Sequence, residues 1–142
     1  MVRYYCPKCW CDFAEDVRRC PECGQDIQAF LRERDYVERL IAALNHPEPE
    51  TPIRAAWILG RIGGERAVEP LISLVTKTKD DYIARTAVEA LARIGTPEAM
   101  AFLRTLAAHP AQMVRQAAAK GLAVSDRPAA AEEEGNGRGC GR

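Results

Sequence analysis

Apolar residues in the middle of the chain recur with the three- to four-residue spacing of amphipathic helices. The first such segment, "YVERLIAAL", places Val37, Leu40, Ile41 and Leu44 on one helical face. Helix-start and helix-stop residues divide the periodic region into six predicted helices. These lie near residues 29–44, 52–62, 65–77, 82–94, 97–108 and 112–124.

Residues that favour helix ends support these boundaries. Thr51-Pro52 and Thr96-Pro97 each place an N-cap hydroxyl before a proline at the first helical position. Asp80-Asp81 offers the same start signal before residue 82. Gly63 and Gly95 follow two predicted helices, where glycine tolerates the positive φ of a helix end.

The periodic region also repeats itself every 31 or 32 residues. When "AAWILGRIGGERAVEPLISLV" is aligned with "AVEALARIGTPEAMAFLRTLA", Leu59 falls on Leu91 and Leu71 on Leu103. Each unit reads as a helical hairpin, and units that repeat at this period stack into solenoids. The sequence therefore predicts an all-α fold, with three stacked hairpins over residues 29–124.

The segments "ALARIGTPEAM" and "ILGRIGGERAVEPL" resemble the short HEAT-like repeats of phycobilin lyases and related bacterial HEAT proteins. The resemblance implies a scaffold that binds other proteins. It leaves open an accessory role in a bilin-lyase-like enzyme system, with a bilin-bearing protein as partner.

Two enzymatic members of this wider group fit the sequence poorly. The di-iron hydroxylases need repeated His-Glu pairs, whereas both histidines here, His46 and His109, are followed by proline and occupy equivalent turns at helix ends. The alkylation-damage glycosylases need a face of basic and aromatic residues, whereas Trp57 lies among apolar neighbours and is predicted to be in the core. We therefore expect a protein that is not an enzyme.

Five of the six cysteines lie in "YYCPKCWCDFAEDVRRCPECGQDI", residues 4–27. Two Cys-Pro-x-Cys steps separated by ten residues supply four thiolates, the ligand set of a structural tetrahedral Zn²⁺ site. A closed four-cysteine site has no open coordination position for a substrate. Residues 1–28 are thus predicted to form a small zinc-binding module with ligands Cys6, Cys9, Cys20 and Cys23.

This spacing closely resembles the short zinc ribbons at the ends of bacterial regulatory and membrane proteins, with Trp10 in place of the first glycine. Iron in a rubredoxin-like site is the alternative, but rubredoxins have a longer gap between their cysteine pairs, so zinc is preferred. Cys11 and Cys140 are left over. Cys11 can in principle replace Cys9 as a ligand, at the loss of the symmetry between the two steps; both are predicted to be thiols without a catalytic role.

Charge and composition bound the partners and the location. The 20 Lys and Arg balance the 20 Asp and Glu, so no global field favours nucleic acid or an anionic membrane. The chain begins without a signal-like segment, and no apolar run reaches the roughly 18 residues of a membrane helix, so we expect a cytoplasmic protein without a membrane segment.

Two surfaces are candidates for contacts. Aromatic and basic residues around the cysteines can bind a protein, bind single-stranded nucleic acid as the less favoured option, or dock the ribbon onto the first helix. The last helix, "QMVRQAAAKGLAV", has no following helix, so its edge is predicted to meet a second copy, as a homodimer, or a partner protein. The candidate partner-binding residues are Trp10, Lys8, Arg18, Arg19, Met113 and Ala118.

Two further features complete the prediction. Arg54, Arg85 and Arg115 recur near helix starts and are expected to pair with carboxylates or helix ends along the stack, with Asp80-Asp81 serving Arg85. Residues 125–142 are rich in glycine and are predicted to be a disordered tail. The function predicted from the sequence is a non-enzymatic protein-binding adaptor, with a zinc ribbon fused to a HEAT-like repeat surface.

Overall fold

Helices account for nearly all the regular structure of the chain, whose computed structural model describes residues 2–62 and 64–125. A two-stranded antiparallel ribbon of β1 (Tyr4–Tyr5) and β2 (Asp12–Phe13) comes first, with Tyr4 opposite Phe13. The predicted all-α solenoid is confirmed over the helices that follow. These are α1 (Ile27–Arg32), α2 (Tyr36–Ala43), α3 (Glu50–Ile62), α4 (Val68–Lys77), α5 (Asp81–Ile94), α6 (Pro97–Thr105) and α7 (Gln112–Ser125).

The first predicted helix, over 29–44, is wrong, because this segment forms two helices with a break between them. Asp35 is the N-cap of α2, where its side chain accepts the backbone N–H of Glu38 at 2.8 Å. The Glu38 carboxylate in turn accepts the N–H of Asp35 at 3.1 Å, which completes a capping box. Aspartate favours such a cap over a helix interior, so a new helix starts after Asp35.

The other helix-end signals have mixed outcomes. Thr96 and Asp80 cap α6 and α5 as predicted, and Gly95 ends α5 with a φ of 69°. Thr51 lies inside the first turn of α3, which begins one residue earlier, so its predicted capping role is wrong. Gly63 lies outside the described residues, as do the predicted tail beyond residue 125 and its thiol Cys140.

Helices α3, α5 and α7 stack side by side, and α4 and α6 pack against them to complete the hairpins. The core that results is built from positions related by the repeat. Leu59 of α3 and Leu91 of α5 are both fully buried, and so are Leu71 of α4 and Leu103 of α6. The repeat alignment of the sequence is therefore confirmed by the packing.

Glycine allows two close approaches in this stack. A Cβ atom built on Gly60 of α3 would lie 2.8 Å from Cα of Ala90 in α5. One built on Gly121 of α7 would lie 2.6 Å from Cβ of Ala92, but 3.8 Å from Ala92 Cα. At both points the neighbouring helices pack more closely than any larger side chain permits.

We expect Gly121→Ala to lower the stability of the protein even though alanine is the better helix former. The clash with Ala92 should cost about 1–3 kcal/mol, as overpacking typically does, and so offset the gain in helix propensity of about 1 kcal/mol. Urea unfolding followed by circular dichroism measures this. The double variant with Ala92→Gly removes the clash, so its loss of stability should be smaller than the summed losses of the two single variants. A more stable Gly121→Ala variant would contradict the packing of α5 on α7.

The last helix is more deeply packed than predicted. Ala118 is 2% exposed and belongs to the core, so its proposed contact with a partner is wrong; α7 turns this residue towards α5 and α6. Met113 is half-buried against the same core. A partner or a second copy at the edge of α7 stays a prediction for Met113 alone.

The recurring arginines pair with carboxylates or with a helix end, as predicted, but these contacts are local and do not run along the stack. Arg54 lies 3.9 Å from Glu50, and Arg85 lies 3.1 Å from Glu89, each on its own helix. The guanidinium of Arg115 donates at 2.6 Å to the carbonyl of His109 in the preceding loop. Because Glu89 serves Arg85, the predicted pairing of Arg85 with Asp80-Asp81 is wrong.

Candidate metal centre

The two cysteine pairs sit on turns with the same backbone hydrogen bonds. In each turn, the carbonyl of the first cysteine accepts an N–H four residues later, and its own N–H donates to a carbonyl five residues later. The distances are 2.9 Å for Trp10 to Cys6, 3.0 Å for Cys6 to Cys11, 2.9 Å for Gly24 to Cys20 and 2.9 Å for Cys20 to Gln25. Residues 6–11 and 20–25 are therefore structural equivalents.

Trp10 occupies the position that Gly24 holds in the second turn. Its φ is 61°, against 74° for Gly24, and it is the one non-glycine residue with a positive φ among the described residues. This conformation costs an L-residue roughly 1–2 kcal/mol. Trp10 thus takes the backbone conformation of the glycine that it replaces, and it is held in that conformation under strain.

The four predicted ligands are brought together. The sulfur atoms of Cys6, Cys9, Cys20 and Cys23 all lie within 4.8 Å of one another, with 3.7 Å between Cys6 and Cys23 and 3.6 Å between Cys9 and Cys20. Bonds of about 2.3 Å to a tetrahedral metal would set the sulfurs about 3.8 Å apart. These four cysteines can therefore hold a metal ion.

A fifth sulfur lies beside this group. The Sγ atom of Cys11 is 3.1 Å from that of Cys20 and 3.3 Å from that of Cys9. Its equivalent in the second turn is Gln25, which is not a metal ligand, so the symmetry of the turns assigns Cys11 to a place outside the four. The sequence analysis identified Cys11 as an additional thiol but did not place it beside the four ligands. Its position follows from the backbone hydrogen bond between the N–H of Cys6 and the carbonyl of Cys11, which closes the first turn.

The sulfurs differ in their electrostatic surroundings. Burial opposes ionisation of Cys20, but the backbone N–H of Cys23, the Cys11 thiol and the N–H of Glu22 outweigh it and lower the pKa of Cys20 to about 6. The hydrogen bond to Cys20, followed by burial and the contact with Cys9, raises the pKa of Cys11 to about 12. Cys20 is therefore the thiolate, and Cys11 the thiol, of this pair.

An aspartate follows each turn and binds an arginine. Asp12 pairs with Arg3, and Asp26 lies 3.2 Å from Arg18. Asp26 also accepts the N–H of Ala29 at 2.9 Å as the N-cap of α1, and that bond, more than Arg18, holds the pKa of its carboxyl below the usual value. The second turn thus leads directly into the first helix. Residues 2–26, with the ribbon and both turns, are called the cysteine module below.

The cysteine module contacts the loop between α2 and α3. The Tyr5 hydroxyl donates to Glu48 at 2.9 Å, and its ring lies 4.5 Å from His46, centroid to centroid. The ring of Trp10 lies 5.0 Å from the same imidazole. Docking within the chain, one of the three alternatives, is therefore found for Tyr5 and Trp10, but onto this loop and not onto the first helix.

The candidate binding residues of the module are in different situations. Trp10 is half-buried against His46, whereas Lys8, Arg18 and Arg19 are exposed. Arg18 is paired with Asp26, and Arg19 donates to the carbonyl of Gly24 at 3.4 Å. A role in binding a partner stays a prediction for these four residues.

The repeat region can be compared with known proteins directly. Residues 37–123, from the start of α2 almost to the end of α7, match the family model for HEAT repeats. The chain belongs to the HEAT repeat family. A search of the curated proteins found no match. The HEAT match begins after the cysteine module. The matching model describes HEAT repeats in general and does not single out the phycobilin-lyase type. None of the described helices is long and apolar enough to cross a membrane.

The two histidines hold equivalent turns of the HEAT repeats, as predicted. Nδ1 of His46 accepts the backbone N–H of Glu48 at 3.1 Å, and Nδ1 of His109 accepts that of Ala111 at 3.0 Å. Each ring thus accepts from the residue two positions later. Both rings stabilise loops that follow a helix.

Trp57 of the HEAT repeats is not in the core, so that prediction is wrong. Its side chain is 51% exposed, because Ala56 and Leu59 face inwards and position 57 faces away from them. The guanidinium of Arg61 lies over its ring at 4.8 Å, one helical turn along α3, and Ile62 is 47% exposed at the end of the same helix. We call Trp57, Arg61 and Ile62 the α3 patch.

A groove of about 480 Å³ lies between α5 and α7 on the HEAT surface. Its floor is made of small residues, since Ala92, Ala117 and Gly121 allow the two helices to approach closely. Arg93 and Lys120 line it together with Glu89 and the exposed Val124.

Proposed function

We propose that this protein is a non-enzymatic adaptor in which a zinc-bound cysteine module is attached to HEAT repeats that bind another protein. The observation that carries the proposal is the α3 patch on a HEAT scaffold. Tryptophan and arginine dominate the energetics of protein interfaces, and here they are stacked on each other in solvent. Stacked helical repeats present extended surfaces of this kind.

Zinc is the metal that the cysteine module fits best. Four thiolates at tetrahedral spacing suit Zn²⁺, and iron in a rubredoxin-like site is the alternative for the same four sulfurs. Only Cys6 and Cys20 are buried between residues 2 and 26, so this segment has no apolar core of its own. The metal would supply the folding free energy of the module.

The role of the metal in this proposal is structural. Four sulfurs fill the coordination sphere and leave no position for water or a substrate. Contacts of Tyr5 and Trp10 with His46 support a second role, in which the module covers the first end of the repeat stack. Solenoids need such a cover, because each repeat buries only the faces of its neighbours.

Nucleic-acid binding through the cysteine module is less well supported. Stacking of bases needs free aromatic faces. Tyr5 and Trp10 contact His46, and Tyr4 stacks on Phe13 at 6.4 Å between centroids. Retention on single-stranded DNA that falls with salt would favour this alternative over a protein partner.

Affinity capture from the native host tests the proposal, with Trp57→Ala as the decisive variant. We expect Trp57→Ala to weaken the binding of the captured protein about 30-fold, equivalent to about 2 kcal/mol, because a stacked tryptophan typically anchors an interface. Titration calorimetry with the purified partner measures the change. Capture of a bilin-bearing protein would instead favour the accessory role in a lyase system.

Tyr82→Ala is the matched control for this experiment. Tyr82 is 63% exposed on the neighbouring helix α5 and should leave the affinity near that of the wild type. Both side chains are at the surface, so neither change should alter the circular dichroism of the protein. Equal affinities for the wild type and Trp57→Ala would exclude the α3 patch as the binding surface.

A further inference from the structure

We propose that Cys9 and Cys11 form an oxidative modification site, in which a hydroperoxide joins them as a disulfide and the cysteine module then releases its metal. The inference rests on the proposed metal centre and adds a reaction to it. The sulfur of Cys11 lies 3.3 Å from that of Cys9 and 3.1 Å from that of Cys20, both closer than the 3.6 Å and 3.7 Å that separate pairs of metal ligands, so exposure decides between the two partners.

The symmetry of the two turns makes Cys11 available. Its equivalent, Gln25, carries an amide and not a thiol, and donates its side-chain N–H to the carbonyl of Asp26 at 3.0 Å. Four other sulfurs complete the centre without Cys11. The first turn therefore places an additional thiol next to a ligand, where the second turn has an amide.

Exposure together with the contact to Cys11 selects Cys9 as the sulfur that reacts first. Cys9 and Cys23 are both exposed, and of these two it is Cys9 whose sulfur lies 3.3 Å from that of Cys11. Cys9 is exposed and Cys11 is half-buried beside it, whereas Cys20, the other neighbour of Cys11, is 2% exposed. A backbone N–H, that of Cys23, also lies 3.5 Å from the Cys20 sulfur. A peroxide in solvent thus reaches Cys9 before it reaches Cys20.

The reaction has two steps that balance. The Cys9 thiolate attacks the terminal oxygen of the hydroperoxide, whose O–O bond breaks; with one proton this gives a sulfenic acid and an alcohol, or water if the oxidant is hydrogen peroxide. The Cys11 thiol then attacks the sulfenic sulfur, the S–S bond forms, and the hydroxyl leaves as water with the thiol proton. Two electrons pass from the sulfurs to the peroxide.

Oxidation of the cysteine module also affects its contact with the HEAT repeats. Loss of Cys9 leaves three of the four ligands, and a segment with only Cys6 and Cys20 buried cannot stay folded without its metal. Trp10 lies between the two reacting cysteines and contacts His46, so the disulfide changes the residue that joins the module to the α2–α3 loop. Reduction by a dithiol reverses the change.

The test treats the purified, zinc-loaded full chain with hydrogen peroxide, in a Cys140→Ser background that removes the thiol near the C-terminus. Zinc release is followed with a chromogenic chelator, and the disulfide is located by mass spectrometry after chymotryptic cleavage at Trp10. We expect a Cys9–Cys11 disulfide that forms together with zinc release, and recovery of one bound zinc after reduction. In Cys11→Ser, release should be about tenfold slower, because oxidised Cys9 must then react with a sulfur already held by the metal.

Each result decides the matter. A Cys11–Cys20 disulfide in place of Cys9–Cys11, disulfides only among Cys6, Cys9, Cys20 and Cys23, or the same release rate in Cys11→Ser would overturn the inference while leaving the zinc centre in place. A chain that carries no zinc before oxidation would overturn the proposed centre and this inference together. Equal zinc content of Cys11→Ser and wild type before treatment shows that the variant is folded.

Discussion

Serine in place of Cys20 is expected to abolish metal binding and to unfold the cysteine module, while the HEAT repeats stay folded. Cys20 is 2% exposed, and its sulfur lies within 4.8 Å of those of the other three predicted ligands. Metal binding supplies of the order of 10 kcal/mol or more to comparable zinc peptides, and this segment has no other core to replace it. The expected loss therefore exceeds that of any single change in the repeats.

Limited trypsin digestion and metal analysis measure this outcome. The intact module should resist cleavage after Arg18 and Arg19, whereas Cys20→Ser should be cut there rapidly and carry no metal. The helical circular dichroism should change little, because the helices lie after residue 26. Cys11→Ser is the matched control and should keep its metal. A metal-bound, protease-resistant Cys20→Ser would show that Cys20 is not a ligand.

The second large effect is expected for Leu91→Ala in the centre of the repeat stack. Leu91 is fully buried in α5, which packs against α3, α4, α6 and α7. Such a truncation typically costs 2–5 kcal/mol, because it removes apolar contacts and leaves a cavity. This is a large part of the 5–15 kcal/mol that stabilises most domains. Urea denaturation followed by circular dichroism should show the loss as a lower midpoint.

Leu122→Ala provides the comparison. This leucine is half-buried on α7, at the last helix of the described stack, so its truncation should cost clearly less than that of Leu91. Equal losses at the two sites would mean that α5 is not the centre of the packing.

The repeat was the part of the fold that the sequence predicted best, because the spacing of Leu59 and Leu91 reflects a packing position that recurs. The break before α2 was missed, since apolar periodicity alone does not weigh a capping aspartate such as Asp35 against helix continuation. Trp57 was misplaced because its neighbours in sequence are apolar, although the side-chain directions of Ala56 and Leu59 turn it outwards.

The candidate site likewise has features that the sequence could predict and features that it could not. Four cysteines in two short turns carry their geometry in local spacing, so their proximity was predictable. The docking of the module was not, because Tyr5 and Glu48 are 43 residues apart and no local pattern links them. Cys11 lies between these cases: its backbone pairing with Cys6 is local, but the direction of its sulfur towards Cys20 depends on the second turn.

The metal content of the full chain tests the central claim most directly. Elemental analysis and native mass spectrometry should find one zinc per chain, and replacement by Co²⁺ should give the visible bands of a tetrahedral four-thiolate site. Serine at Cys6, Cys9, Cys20 or Cys23 should remove these bands, and serine at Cys11 should not. A chain purified without a metal would contradict the account, and a red protein that bleaches with dithionite would replace zinc with iron.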